Sequence, residues 1–175
     1  MQKRSLTLPL SDEDIKTLRA GEIVVLSGTI HTARDAAHKL IFDALLRKEK
    51  PPIDLASAAI FYAGPAPAKP GEVIGSCGPT TSARMDDYTP LLLENGLRVM
   101  IGKGKRSGTV NQAIKKFGAV YFAAVGGAGA LYGSRIKSCG LIAYPELGCE
   151  AIYRLDVENF EVVVATDCEG RSILK

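Results

Sequence analysis

The stretch Glu22-Ile23-Val24-Val25-Leu26-Ser27-Gly28-Thr29-Ile30 is followed, after His31 and Thr32, by Ala33-Arg34-Asp35-Ala36-Ala37-His38-Lys39-Leu40-Ile41-Phe42-Asp43-Ala44-Leu45-Leu46-Arg47-Lys48. The first run is rich in β-branched and aliphatic residues, which fit a pleated, half-buried surface, and it reads as a strand. In the second, apolar residues recur at Ala33, Ala37, Leu40, Ile41, Ala44 and Leu45, the stripe of an amphipathic helix with a charged opposite face. Pro51-Pro52 stops that helix, because proline lacks the N–H that a helix interior needs. A strand feeding directly into a helix points to an α/β chain.

The same pattern extends outward. Ser11 is a candidate N-cap for a short helix from Asp12 to Arg19, with acids in its first turn and Gly21 beyond its end. Ala58 to Tyr62 reads as a short buried strand, followed by the loop Gly64-Pro65-Ala66-Pro67-Ala68-Lys69-Pro70, which can continue neither helix nor central strand. After a Gly78-Pro79 turn, a helix is expected from near Thr80 to Ser82, with Pro90 inside or bounding it and Gly96 closing it. Leu97 to Ile101 reads as a strand, Gly108 to Phe117 as a helix and Ala119 to Val125 as a strand. Gly127 to Lys137 reads as a glycine-rich turn running into a helix, and Leu155 to Val157 and Glu161 to Ala165 as late strands. Strands and helices mix throughout, with neither a clean repeat nor a regular βαβ series in view, and 175 residues suit one domain spanning 1–175.

Charge and cysteine content bound the function. The 22 Lys and Arg against 19 Asp and Glu leave a net charge of +3, too small to imply a nucleic-acid or membrane partner. The N-terminal stretch lacks the apolar core of a signal peptide, and no apolar run approaches the roughly 20 residues of a membrane span, so a cytoplasmic location is expected. Cys77, Cys139, Cys149 and Cys168 are widely spaced without a CxxC pair, which argues against a closed zinc site and a redox dithiol.

The distribution of cations is more informative than their number. Arg34 and His38 are expected in the first turns of the helix near Ala33, where cations oppose the helix dipole. Either Asp35 compensates them or an anion occupies the helix start. The arrangement recurs at Gly78-Pro79-Thr80-Thr81-Ser82-Ala83-Arg84-Met85-Asp86, where ordinary capping accounts for one of three hydroxyls. A third basic element, Gly102-Lys103-Gly104-Lys105-Arg106, follows a strand and lacks the Walker A spacing. Arg34, Arg84 and Lys103 at element ends form a candidate receptor for a molecule with two carboxylates, since arginine's planar fork can hold a carboxylate with two parallel hydrogen bonds. Solvated surface charges are the alternative, and nothing local shows that the three elements converge.

At these segments the sequence resembles the beta subunit of class I (iron-sulfur) fumarate hydratases and of the related L-tartrate dehydratases. The similarity runs through Ser27-Gly28-Thr29-Ile30, Arg34 to Lys39, Tyr62-Ala63-Gly64-Pro65, Gly78 to Asp86 and Ile101 to Gly104, and covers about residues 5 to 170. Glu146 to Ile152 resembles a late motif of that family, with no role assigned. The resemblance implies a three-layer β/β/α swivelling domain. It implies carboxylate binding by Arg34, Arg84 and Lys103, acid-base work by Thr80, and His38, Asp35, Thr81 and Asp86 as supporting residues. It also implies a 4Fe-4S cluster held by a separate alpha subunit in a two-alpha, two-beta assembly, with no metal ligand on this chain.

Two rival readings come from other classes. The cationic group could bind a dicarboxylate without performing chemistry. Alternatively, Val125-Gly126-Gly127-Ala128-Gly129-Ala130 after a strand suggests a dinucleotide site, but the pattern from Gly127 puts Tyr132 where the third glycine or alanine belongs.

Overall fold

The computed structural model describes residues 3–174, so Met1 and Gln2 of the N-terminal stretch and Lys175 lie outside the described residues. The chain runs β1 (Arg4–Thr7), α1 (Asp12–Thr17), β2 (Ile23–Thr32), α2 (Asp35–Leu46), β3 (Ala59–Phe61), a 3-10 turn (Ser82–Met85), α3 (Thr89–Glu94) and β4 (Val99–Gly102). It continues through α4 (Gly108–Phe117), β5 (Val120–Ala123), α5 (Gly129–Ser134), β6 (Ile136–Ala143), a second 3-10 turn (Pro145–Glu150) and β7 (Ile152–Thr166).

The strands form one sheet that closes into a small barrel. β2, β3, β4 and β5 are parallel neighbours in that order. β7 runs antiparallel to both β5 and β2 and thereby joins the two ends of the parallel set. β1 extends the sheet beside β2, and β6 beside β7. Because α2, α3 and α4 lie between consecutive parallel strands, a βαβ series is present after all. The segment 62–81, which the proline-rich loop interrupts, masks that series in the sequence.

Strand periodicity gives the barrel two cores, since alternate side chains face opposite sides. Phe61, Ile101 and Phe122 point into the barrel with Val24, Leu26 and Phe160. Ile60, Met100 and Tyr121, their neighbours in sequence, point outward and meet Ile41 of α2, Leu92 of α3 and Ile114 of α4. Phe61 and Phe160 meet edge to face at 5.3 Å, and burying each such ring contributes about 1.5–3 kcal/mol.

Local signals explain the helix ends. Ser11 and Asp14 form a reciprocal capping box at α1. In α4, Ser107 accepts from the Val110 N–H at 3.2 Å, and Gly118 ends the helix in the left-handed region. The helix expected from Thr80 is instead the 3-10 turn Ser82–Met85 followed by α3, whose first turn holds Pro90. Gly127 to Lys137 yields only the six residues of α5 before β6 begins at Ile136. The two late strands are one continuous 15-residue strand, with Asn159 at φ 54° inside it.

Candidate active site

The consecutive parallel strands β2 to β5 all end on the same edge of the barrel. Arg34 follows β2 by two residues, Gly64 follows β3, Lys103 directly follows β4, and Gly126 follows β5. Such an edge, outside the carboxyl ends of parallel strands, is where open α/β sheets bind ligands, because loops there can vary without disturbing the core. The segment from Gly78 to Arg84 is laid across this edge by backbone contacts. Ala63 bridges Pro79, and Thr80 N donates to Tyr62 O at 2.6 Å. Thr81 bridges Lys103, and Ser82 N donates to Lys103 O at 2.9 Å. The three basic elements therefore converge.

Ion pairs tie the same elements together. Arg84 Nε donates to Asp35 Oδ1 at 2.7 Å, Arg34 Nε lies 3.7 Å from Asp35 Oδ2, and Arg34 Nε lies 3.4 Å from Glu150 Oε1. Arg34 is the N-cap residue of α2 and stands just outside its first turn. Asp35 occupies that turn, so the helix dipole sees a carboxylate first. Arg34 Nε and Asp35 Oδ2 are buried, yet neither has a hydrogen-bond partner among the described residues.

His38 is fully buried behind this corner, edge-on to Tyr62 with ring centroids 5.2 Å apart. Its Nδ1 lies 2.9 Å from Arg34 O, and a carbonyl can only accept, so Nδ1 carries the proton. Nε2 is left without a partner among the described residues. Burial pushes the imidazole down to about 4, further than its bond to Arg34 O restores it.

The three hydroxyls separate by environment. Thr80 is half-buried and Thr81 exposed, and neither side chain hydrogen-bonds another described residue. Thr81 holds the N-cap position of the 3-10 turn, but its side chain makes no cap bond, so capping accounts for none of the three. Ser82 is buried, with Oγ 2.8 Å from Tyr121 Oη, and Tyr121 Oη is 2.7 Å from Gly104 O. The single Tyr121 proton goes to the carbonyl, so Ser82 donates to Tyr121 and its own proton is turned inward. Burial raises the Tyr121 phenol to about 12. Gly102 is required here, because a Cβ on it would overlap Ser82 Oγ and come within 2.7 Å of the Tyr62 ring.

Asp86, expected to support the site, braces it from beneath. Its Oδ1 accepts from Arg106 Nε at 2.6 Å and its Oδ2 from Ser107 N at 2.7 Å. Arg106, read in the sequence as part of an exposed basic element, is buried. It also donates to Thr89 Oγ1 at 2.7 Å and Tyr62 Oη at 3.1 Å, and its guanidinium lies 5.2 and 5.1 Å from the Tyr62 and Tyr121 ring centres. No local signal separates Arg106 from Lys105 beside it; the partners that pull it inward come from other parts of the chain. Lys103, by contrast, is half-buried beside Gly126 and makes no ion pair among the described residues.

The resulting edge presents Arg34, Arg84, Lys103 and the free hydroxyl of Thr80, a set able to hold two carboxylates and to stabilise negative charge that develops on one of them. It is open, with the Arg84 side chain 51% exposed. A hollow of about 570 Å³ lies elsewhere, lined by Pro67, Val73, Ile74, Gly75 and Gly133 among others. Among the described residues no group of three or more His, Cys, Asp or Glu side chains is placed to hold a metal ion. Cys77 and Cys168 are buried, Cys139 is partly buried and Cys149 is exposed, and burial pushes the Cys77 thiol up to about 12. No helix among the described residues is long and apolar enough to cross a membrane.

The family model described as Fumarase C-terminus matches residues 2–175. A Methanocaldococcus jannaschii chain bearing the name L(+)-tartrate dehydratase subunit beta is 39% identical over 170 residues, 94% of this chain and 87% of that one. The aerobic class I fumarate hydratase of Escherichia coli K12 is 40% identical over 152 residues, 86% of this chain but 28% of that protein. Fumarate hydratase 2 of Leishmania major is 38% identical over 155 residues, 87% of this chain and 27% of that protein. The chain thus spans most of the first relative and little more than a quarter of the other two.

Proposed function

We propose, since the chain belongs to the Fumarase C-terminus family, that it is the beta subunit of a hydro-lyase interconverting (S)-malate with fumarate and water. The observation that carries this reading is the strapping of Thr80 to Arg84 across the strand ends, between Arg34 and Lys103. In this reading Arg34, Arg84 and Lys103 bind the two carboxylates and Thr80 moves the proton at C3. Removing that proton builds charge on the adjacent carboxylate. Fixed cations are then worth more in the transition state than in the ground state, which makes binding groups catalytic. Threonine is a weak base and needs a polarising carboxylate, assigned here to the partner subunit.

The openness of the edge supports a site completed by another chain, and the word "beta" in the first relative's name supports a partner subunit. The described side chains do not form an iron-sulfur ligand set, so the 4Fe-4S cluster is assigned to an alpha subunit, in a two-alpha, two-beta assembly. This chain's part is confined to binding and proton transfer. Residues 1–175 are read as one β/β/α swivelling domain, consistent with a barrel that carries α2, α3 and α4 on one face. A second substrate, L-tartrate, is favoured by one specific observation: the relative named for tartrate dehydratase is matched over 87% of its length.

The test is anaerobic mixing of the purified chain with the cluster-bearing subunit, with malate and tartrate dehydration then assayed. The mixture should be active and the chain alone inactive. Turnover by the metal-free chain alone would overturn the two-subunit reading, and dicarboxylate binding without turnover in the mixture would favour a non-catalytic binding module.

A further inference from the structure

The segment Glu146 to Ile152 has no part in the proposed chemistry, although it closes one side of the site. After β6 the chain turns at Tyr144, with φ 59°, and again at Gly148, with φ 59° and ψ −122°. The second turn brings Glu150 over the start of α2. The buried Thr32 side chain pins the start of β7: its Oγ1 donates to Ala151 O at 3.3 Å and accepts from Tyr153 N at 3.1 Å. Residues 151–153 are thereby fixed to the end of β2, two residues before Arg34.

Gly64, at the end of β3, closes the opposite side. A Cβ there would come within 2.9 Å of Cys149 O and within 3.2 and 3.3 Å of Arg34 Cδ and Nη1. The Arg34 stem is therefore clasped between β3 and the 148–150 turn. Two carboxylates approach its Nε, Glu150 at 3.4 Å and Asp35 at 3.7 Å. Asp35 Oδ1 is already engaged by Arg84 Nε at 2.7 Å. Glu150 is thus the carboxylate that Arg34 does not share with Arg84.

We infer that Glu150 is a positioning residue: by flanking Arg34 Nε from the pinned 148–151 turn, it holds the guanidinium so that its Nη edge is the face left for a ligand carboxylate. It also keeps Arg34 and Arg84 from competing for Asp35. Its charge offsets a cation that stands at the start of α2, where the helix dipole disfavours it. This inference rests on the reading of Arg34 as a carboxylate-binding residue.

The experiment uses the chain assembled with its cluster-bearing subunit and compares Glu150→Ala, Glu150→Gln, Arg34→Ala and the Glu150→Ala/Arg34→Ala double variant. Glu150→Ala should raise KM for malate about tenfold with kcat little changed, the scale of one lost contact to a charged group. Glu150→Gln removes the charge at nearly the same shape and, because Arg34 Nε makes no hydrogen bond to Glu150, should raise KM almost as far as alanine does. It also decides the matter if the alanine variant melts early. A residue acting through Arg34 adds nothing once Arg34 is gone, so the double variant should match Arg34→Ala. An unchanged KM in both Glu150 variants beside a raised KM in Arg34→Ala, or additive losses in the double variant, would overturn the inference alone. An unchanged KM in Arg34→Ala would overturn the reading of the site and the inference with it.

Discussion

Arg84 Nε donates to Asp35 Oδ1 at 2.7 Å, joining the 3-10 turn after the proline-rich loop to the first turn of α2 across 49 residues of sequence. Two segments that each carry a cation at an element end thereby meet at one corner of the site. With Nε committed to Asp35, arginine still offers its two Nη groups, which lysine could not.

Arg34→Ala, Arg84→Ala and Lys103→Ala should each leave the fold nearly intact while costing the assembled enzyme about 3 kcal/mol of transition-state stabilisation, roughly a hundredfold in kcat/KM. Lys48, an exposed residue at φ 59° beyond α2, is the control and should tolerate alanine. Steady-state kinetics on the four variants checks this, and wild-type kcat/KM in all of them would rule out the dicarboxylate receptor.

The buried Arg106–Asp86 pair should matter for stability first. Asp86→Ala would leave the guanidinium buried against Tyr62 and Thr89 without its carboxylate, a loss of about 3 kcal/mol or roughly 10 °C in Tm. Asp86→Asn keeps an acceptor and should recover part of it. Thermal melts of the isolated chain read the effect, and an unshifted Tm in Asp86→Ala would show that the brace is dispensable.

His38 predicts a pH dependence of stability. Its folded value of about 4 lies below the ordinary 6.5, chiefly because burial disfavours the charged ring. Between those values the unfolded chain binds the extra proton. Stability is therefore full above pH 6.5 and falls as pH is lowered toward 4, by about 3 kcal/mol from this residue. His38→Gln removes that component, so the fall measured by denaturant titration at pH 7 and pH 4.5 should be shallower in the variant. Parallel curves would place the His38 charge change elsewhere.

The sequence carried the parts of the fold that have strong local patterns. The α2 stripe and the apolar runs of β2 to β5 are legible because each faces a core on one or both sides. β6 was not legible, since as an edge strand most of its residues, including Leu141 and Ile142, are exposed and leave no alternation to read. Around the site, residue types pointed to Arg34, Arg84 and Lys103, while the family resemblance alone singled out Thr80 from its neighbouring hydroxyls. Their convergence depends on the Ala63–Pro79 and Thr81–Lys103 bridges, which no local pattern encodes. Glu150 and Arg106 act through partners 116 and 20 residues away, Arg34 and Asp86, and such pairings appear only once the barrel has closed.

Thr80 and Thr81 are adjacent but are assigned different roles in the proposal, and separating them probes the proposed proton transfer itself. Thr81→Ala removes an exposed hydroxyl without a bond and should change stability by less than about 0.5 kcal/mol and the rate hardly at all. Thr80→Ala and Thr80→Val should lower kcat sharply while KM changes little, because the cations remain in place. The decisive measurement is exchange of the malate C3 proton with deuterated water by the assembled Thr80→Val enzyme. Exchange should be lost, whereas exchange at the wild-type rate would remove Thr80 from proton transfer and with it the proposed role of this edge in the chemical step.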